Sequence, residues 1–405
     1  MARLTTDYYR TTTNLEFNTN NLSISNISSN WSDYYYYYDA GGDDRFSTMP
    51  ATVALTIVRY VLPVIVLFGT AGNLLSAVVL VRRHFDGGSV DLYRAALAVV
   101  DTTVLYVSAF KTWIRIVTGV EWLHASDAAC RTLTFILLTA LHLSAWMIAL
   151  LAVDRFMTVW FPFRAAALCS VRAACVIFVC LVVAAVVGNM HAFWTFALNS
   201  DWTPPRCVPA ADNWFMNVAF NYVKFSTYSL LPFVVVAVLN VLIIYRVAQL
   251  RRRLLARRVR RLRAPSDPPT AGDERPLRPP LSASQVRVTS VLVVVALMWL
   301  VLTTPFTLIS ILAVNGVRAT SDSVHLLVKT FAFVLMYMNH SVNVVVYCAM
   351  ERRFRVALCQ MVLCYAPGRQ ACSCCHTRYT AKGRSGSRSG SVVRSTSCHD
   401  DLLRM

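Results

Sequence analysis

Charge is scarce in this 405-residue chain: 15% of residues are charged, against 56% hydrophobic. That pairing excludes an ordinary soluble domain and fits a protein that crosses a membrane several times. Acidic residues are scarcer still, 21 against 39 Lys and Arg, for a formal charge of +18. The excess is no nucleic-acid footprint, because the basic residues cluster between and after apolar segments, as in cytoplasmic loops. No cleavable signal peptide is visible: residues 1–50 are polar, so the first apolar span is expected to act as the targeting signal. Internal repeats, a mark of many transporters, are missing too. The twelve cysteines form no secreted disulfide framework. Cys169, Cys175 and Cys180 lie in or beside one apolar stretch, and Cys359, Cys364, Cys372, Cys374 and Cys375 follow the last one. Only Cys130 and Cys207 sit beside segments read below as extracellular, which makes them the one candidate structural disulfide.

Long apolar runs are abundant. A bilayer core of roughly 30 Å takes about 20 apolar residues per helix. Seven segments qualify: 60–81, 92–110, 133–153, 173–198, 225–245, 288–314 and 326–349. They are apolar nearly all round rather than on one face, and lipid offers no partner to an open backbone. The expected fold is therefore an all-α membrane protein, a seven-transmembrane helix bundle. Arg82, Arg83, Arg164, Arg172, Arg251, Arg252, Arg253, Arg257, Arg258, Arg260 and Arg261 fall in the odd-numbered connections. The alternate ones are mixed or acidic, with Glu121, Asp127, Asp201, Asp212 and Asp322. The positive-inside rule then places the N-terminus outside. Sequons at Asn21, Asn26 and Asn30 agree, as glycosylation sites of an extracellular tail. The acid-flanked tyrosines at 34–38 are candidates for sulfation, with a plain low-complexity tract as the alternative. The expected organisation is an extracellular tail (1–50) and a bundle (51–350) with a basic, Pro-rich third cytoplasmic loop (251–284). A short amphipathic helix (351–363) and a Cys/Ser/Arg-rich cytoplasmic tail (364–405) follow; neither tail has the composition of a packed core.

Polar groups inside a span are costly, so each one needs a reason. The first span holds Gly72-Asn73 and the second Leu97-Ala98-Val99-Val100-Asp101. The third begins near Cys130 and ends in Asp154-Arg155-Phe156, with Pro162 beyond; Pro232 and Pro305 mark the fifth and sixth. The seventh holds Asn339 and Asn343-Val344-Val345-Val346-Tyr347, followed by Phe354. Cys130 precedes Arg155 by 25 residues, Arg155 precedes Pro162 by seven, and Tyr347 precedes Phe354 by seven. In this order and at these intervals, the chain resembles the rhodopsin-like G-protein-coupled receptors over roughly residues 55–360.

That resemblance implies a sodium-binding cluster at Asp101, Ser144, Asn339 and Asn343, with Asn73 alongside, in which Asp101 and Ser144 hold the metal. Sodium would be an allosteric modulator, with no other cofactor and no catalysis. From the residues alone, a carboxylate among hydroxyl and amide oxygens suits a small hard cation; an ion-free hydrogen-bonded network is the alternative. The resemblance also implies an activation switch of Asp154, Arg155, Phe156, Trp299, Thr303, Pro305 and Tyr347. Several positions depart from the family pattern. Phe156 replaces a tyrosine, and Val344 replaces the proline that usually kinks the seventh helix. Thr303 stands where the toggle tryptophan is expected, with Trp299 one turn earlier; Asn240 stands for a tyrosine, and the fourth span lacks its tryptophan. Such variants are similar to those of invertebrate neuropeptide receptors of the FMRFamide-like kind.

Within the family, the aspartate of amine receptors is replaced by Leu137 and the retinal lysine of opsins by Tyr337. Of only four lysines, Lys111, Lys224 and Lys329 lie in outer halves of spans. They suggest a cationic crevice for an anionic group, or else lysines snorkelling to headgroups. Trp113, Phe193, Trp194, Phe225, Tyr228, Phe306 and Phe333 would supply its apolar walls. The expected function is a receptor for an extracellular peptide, a neuropeptide or peptide hormone, acting on heterotrimeric G proteins. Residues 251–263 offer a basic face to anionic membrane lipid and a G protein. Cys359 and Cys364 are palmitoylation candidates. Ser385, Ser387, Ser389, Ser391, Ser395, Thr396 and Ser397 alternate with arginine and suit receptor kinases and then arrestin. A non-signalling scavenger or dimer partner on the same fold, and a seven-span transporter, are the alternatives.

Overall fold

The structure, a computed structural model, describes residues 48–82, 88–200, 205–209, 222–223, 226–263, 283–314 and 322–364. The sequons at Asn21, Asn26 and Asn30, the tyrosines at 34–38, Lys224, Phe225 and the serines of the tail lie outside the described residues. The chain divides into two units, Met1–Arg355 and Val356–Met405.

Six helices of the first unit are long and apolar enough to cross a membrane, and a bent pair supplies a seventh. They are α1 (Met49–Arg82), α2 (Ser89–Thr118), α3 (Asp127–Trp160), α4 (Val171–Asn189), α5 (Leu231–Arg263) and α6 (Ala283–Val314). The seventh, α7, has two limbs, Asp322–Asn339 and Asn343–Met350. Most run beyond their apolar runs, because a helix can continue in water once lipid has nucleated it; α5 carries the basic stretch out to Arg263. Turn chemistry punctuates them. Gly119, at φ 73°, ends α2, and Ser126 and Ser170 accept the Ala129 and Ala173 N–H groups to cap α3 and α4. Inside the spans, hydroxyls turn back on the preceding turn, as Thr102 does to Ala98 O (2.8 Å) and Thr303 to Trp299 O (2.7 Å). In lipid no other acceptor is at hand.

The helices close into a ring: α1 packs on α2 and α7, α7 on α6, α6 on α5 and α3, and α3 on α2, α4 and α5. The apolar stretch of α3 is 61% buried and that of α4 only 11%. Polar side chains turn inward accordingly, while Val64, Leu67, Val176 and Val301 face outward as a lipid-contacting surface. A π-helical turn lies within α2, at Leu105–Phe110, and another, Ser226–Leu230, leads directly into α5. Such turns rotate the side chains that follow.

Two expectations are corrected. The fourth span was expected as helix through residue 198, but α4 stops at Asn189 and Phe196–Asn199 is a strand, β1. It pairs antiparallel with β2 (Arg206–Pro209), Leu198 opposite Cys207. A short apolar run does not distinguish strand from helix by periodicity, and Cys207, bonded to Cys130 with Cα atoms 5.4 Å apart, fixes the hairpin on α3. The seventh span was expected unbroken, yet its limbs meet at 48°. Val344 removes the usual proline, but the bend persists for another reason. His340 and Ser341 donate to carbonyls three residues back, Tyr337 O and Met338 O, tightening the turn. Here α1 also comes unusually close. A Cβ added at Gly69 would lie 2.7 Å from Ser341 Cβ, and one at Gly72 2.5 Å from Val344 Cγ1.

After Glu351 the chain enters α8 (Arg352–Cys364). Its Phe354 is buried and lies 5.7 Å, ring to ring, from Tyr347. The described part of the second unit continues α8 to Cys364, and Cys359 on it is an exposed thiol.

Candidate functional site

At mid-membrane, four helices converge on Asp101 of α2. Its Oδ1 accepts from Ser144 Oγ of α3 (2.9 Å) and meets Nδ1 of His340, at the α7 bend (2.8 Å). Its Oδ2 accepts from Asn343 Nδ2 (2.8 Å). Asn73 of α1 donates to the His340 carbonyl (3.0 Å). All five side chains are buried. Of the residues expected in this cluster, Asn73, Asp101, Ser144 and Asn343 are brought together. Asn339 is buried one position before His340 but makes no hydrogen bond to Asp101. Beside the cluster lies a cavity of about 20 Å³, lined by Ser144, Trp299, Thr303 and His340 among others, enough for a water.

At the cytoplasmic end of α3, Arg155 donates to its neighbour Asp154 through Nε (3.1 Å) and, more closely, through Nη2. The same carboxylate accepts a close hydrogen bond from Ser89 Oγ at the start of α2. Asp154 O accepts from the Cys169 thiol (3.8 Å). Burial, and then the nearby Asp154 charge, push that thiol up to about 11. Phe156 stands apart, against Trp160 and Phe161 (centroids 5.8 and 5.9 Å). One turn inward, Arg94 is buried between Glu351 (Nη2–Oε2 2.7 Å) and Asp91 (Nη1–Oδ1 3.2 Å). Its Cζ lies 3.9 Å above the Tyr347 ring. The switch residues of α6 are separate: Trp299 packs 6.3 Å from Phe233, and Thr303 back-bonds to Trp299 just before Pro305. Asn240 is buried and donates to Val236 O of its own helix (2.7 Å).

At the outer end, Lys111 and Arg115, one turn apart on α2, both face Glu121 (Nζ–Oε1 3.4 Å, Nε–Oε2 3.5 Å), and the three side chains are enclosed. Lys329 is buried on α7. Phe306 and Phe333 are in edge contact at 5.1 Å, and Tyr337 continues the stack at 6.0 Å, its hydroxyl 2.7 Å from Ser108 Oγ in the π turn of α2. Tyr228, in the π turn that leads into α5, packs against the core cluster that includes Phe306 and, like Leu137, against a second around Val104 and Leu141. Trp113 is turned towards α1 and donates to Arg59 O (3.0 Å). Phe193 stacks on Phe135 (4.9 Å), and Trp194 is exposed. Asp127 accepts from the Leu198 N–H (3.0 Å), adding a second tie between hairpin and α3.

The family model described as 7 transmembrane receptor (rhodopsin family) matches residues 72–347. The chain belongs to that family. It is a G-protein-coupled receptor, a multi-pass protein of the plasma membrane. No curated protein matches the chain.

The receptor's helices thus carry three polar clusters in a stack. Sequence reading missed members of each: His340 at the centre, Arg94 and Glu351 below, and above, Arg115, with Glu121 read only as an acidic loop residue. A signal existed for most of them. An ionisable group in or beside an apolar span marks an internal partner, and Arg115 follows Lys111 by the four residues that put both on one face.

Proposed function

We propose that this receptor is gated by an extracellular peptide of the neuropeptide or peptide-hormone kind, through an anionic group on that peptide. The supporting observation is the outer cluster, where two cations one turn apart, Lys111 and Arg115, both face the Glu121 carboxylate in a buried setting. Two cationic side chains so close together offer an incoming carboxylate charge-assisted hydrogen bonds. The aromatic wall of Phe306, Phe333 and Tyr228 supplies the apolar surface such a ligand needs. The variants Phe156, Thr303 and Val344 also resemble those of FMRFamide-like receptors. On the cytoplasmic side, the same reading has the basic extension of α5 meet anionic lipid and the G protein. The Ser/Arg tail would then meet receptor kinases and arrestin.

The test is nucleotide exchange on heterotrimeric G proteins in membranes carrying the full-length receptor, with a peptide library as agonist. Peptides with an acidic side chain or free carboxylate should stimulate exchange. Lys111→Ala should weaken them by about 10-fold or more, the loss of one charge-assisted contact, while uncharged analogues change little. Stimulation confined to non-peptide ligands, or an equal loss for charged and uncharged peptides, refutes the reading.

A further inference from the structure

The polar centre does not fit the sodium ion that family resemblance implies. A small hard cation needs several oxygen lone pairs directed at one point. Here hydrogen-bond donors are directed at that point instead. Both oxygens of Asp101 are engaged, Oδ1 by Ser144 Oγ and His340 Nδ1, Oδ2 by Asn343 Nδ2. The His340 nitrogen is also 3.5 Å from Ser144 Oγ. It therefore lies against both Asp101 and Ser144, which are themselves hydrogen-bonded, the two side chains from which an ion would take its oxygens. Asn73 is turned away, with its amide on the His340 carbonyl. No carboxylate among the described residues lines the adjoining cavity, whose hydroxyls and imidazole suit water.

We propose that His340 replaces the cation: a ring N–H carried by α7 occupies the ion's place on Asp101, and the receptor does not respond to sodium. The carboxylate at membrane depth needs a partner in any case, since an unpaired buried charge is strongly disfavoured. A diffusible ion meets that need to a degree that follows salt. A side chain meets it at any salt, and it also ties α7 to α2 directly. Removing the imidazole from this site leaves Asp101, Ser144 and the Asn343 amide around an emptied space, an arrangement a small cation can use.

The full-length receptor in phosphatidylcholine nanodiscs is melted while NaCl is exchanged for choline chloride at constant ionic strength. The wild type should melt at one temperature throughout. His340→Ser should gain a saturable rise of about 3 °C as sodium replaces choline, the size expected for a ligand about ten-fold above its Kd. Asp101→Asn in the same background should abolish that gain. A saturable sodium-dependent rise in the wild type overturns the proposal, and that arm requires no variant to fold. A folded His340→Ser, or His340→Ala if the serine variant does not fold, that gains no sodium response overturns it as well.

Discussion

The buried arginine of α2 allows a prediction whose sign differs from simple loss of a contact. Arg94 and Glu351 meet at 2.7 Å with side chains 1% and 6% exposed, and Asp91 completes the cluster at 3.2 Å. Arg94→Ala takes the guanidinium away from two buried carboxylates and from the face of Tyr347. Breaking a buried pair in this way costs about 3–5 kcal/mol. Glu351→Ala is milder, because Arg94 keeps Asp91; a lost hydrogen bond to a charged group costs about 1.5–3 kcal/mol. The double variant removes the cation and one of its two anions together. Arg94→Ala with Glu351→Ala should therefore be more stable than Arg94→Ala alone, a rescue rather than a sum. Thermal melting of the full-length receptor in nanodiscs reads this at roughly 2–4 °C per kcal/mol. A double variant whose loss equals the two single losses, within about 0.5 kcal/mol, refutes the coupling.

Close packing of α1 on α7 makes Gly72→Ala destabilising by about 1–3 kcal/mol, since its Cβ would lie 2.5 Å from Val344 Cγ1. Val344→Ala should restore most of that loss in the same melting assay. Cys130→Ala and Cys207→Ala should each lower stability by about 4 kcal/mol for a loop of 77 residues, with the double variant no worse than either single. The Cys169 thiol, pushed up to about 11 from 9.0 by burial and then by Asp154, holds its proton at neutral pH and loses it only as pH rises towards that value. Mass-spectrometric labelling should find Cys169 about 100-fold slower than an exposed thiol at pH 7.5, and Asp154→Asn should narrow the gap.

The bundle itself was legible because lipid removes choices: a run of apolar residues has only the helix available, and loop arginines fix its sense. Asp101, Ser144, Asn73 and Asn343 were legible through intervals shared with a family. The residues that were not legible depend on distant parts of the chain. Arg94 lies inside the second apolar run, and its partner Glu351 is 257 positions away, so no local pattern joins them. His340 follows a noted asparagine, but nothing in its neighbours indicates that its ring reaches Asp101 across 239 positions. The strand at Phe196–Asn199 continued an apolar run, and only its pairing with Arg206–Pro209 makes it a strand.

The bend in α7 has a further consequence, because Val344 keeps the backbone N–H that a proline would lack. In a straight helix that N–H would donate to the carbonyl four residues back, which belongs to His340. That oxygen is the one now held by the Asn73 amide at 3.0 Å. That oxygen has two lone pairs, so it can accept from the Asn73 side chain and still receive the backbone N–H of a straighter helix. Each bond is worth about 1 kcal/mol net, so neither shape is locked in by covalent structure. A proline at this position would remove the backbone donor; Val344 keeps it, so covalent structure does not impose the elbow.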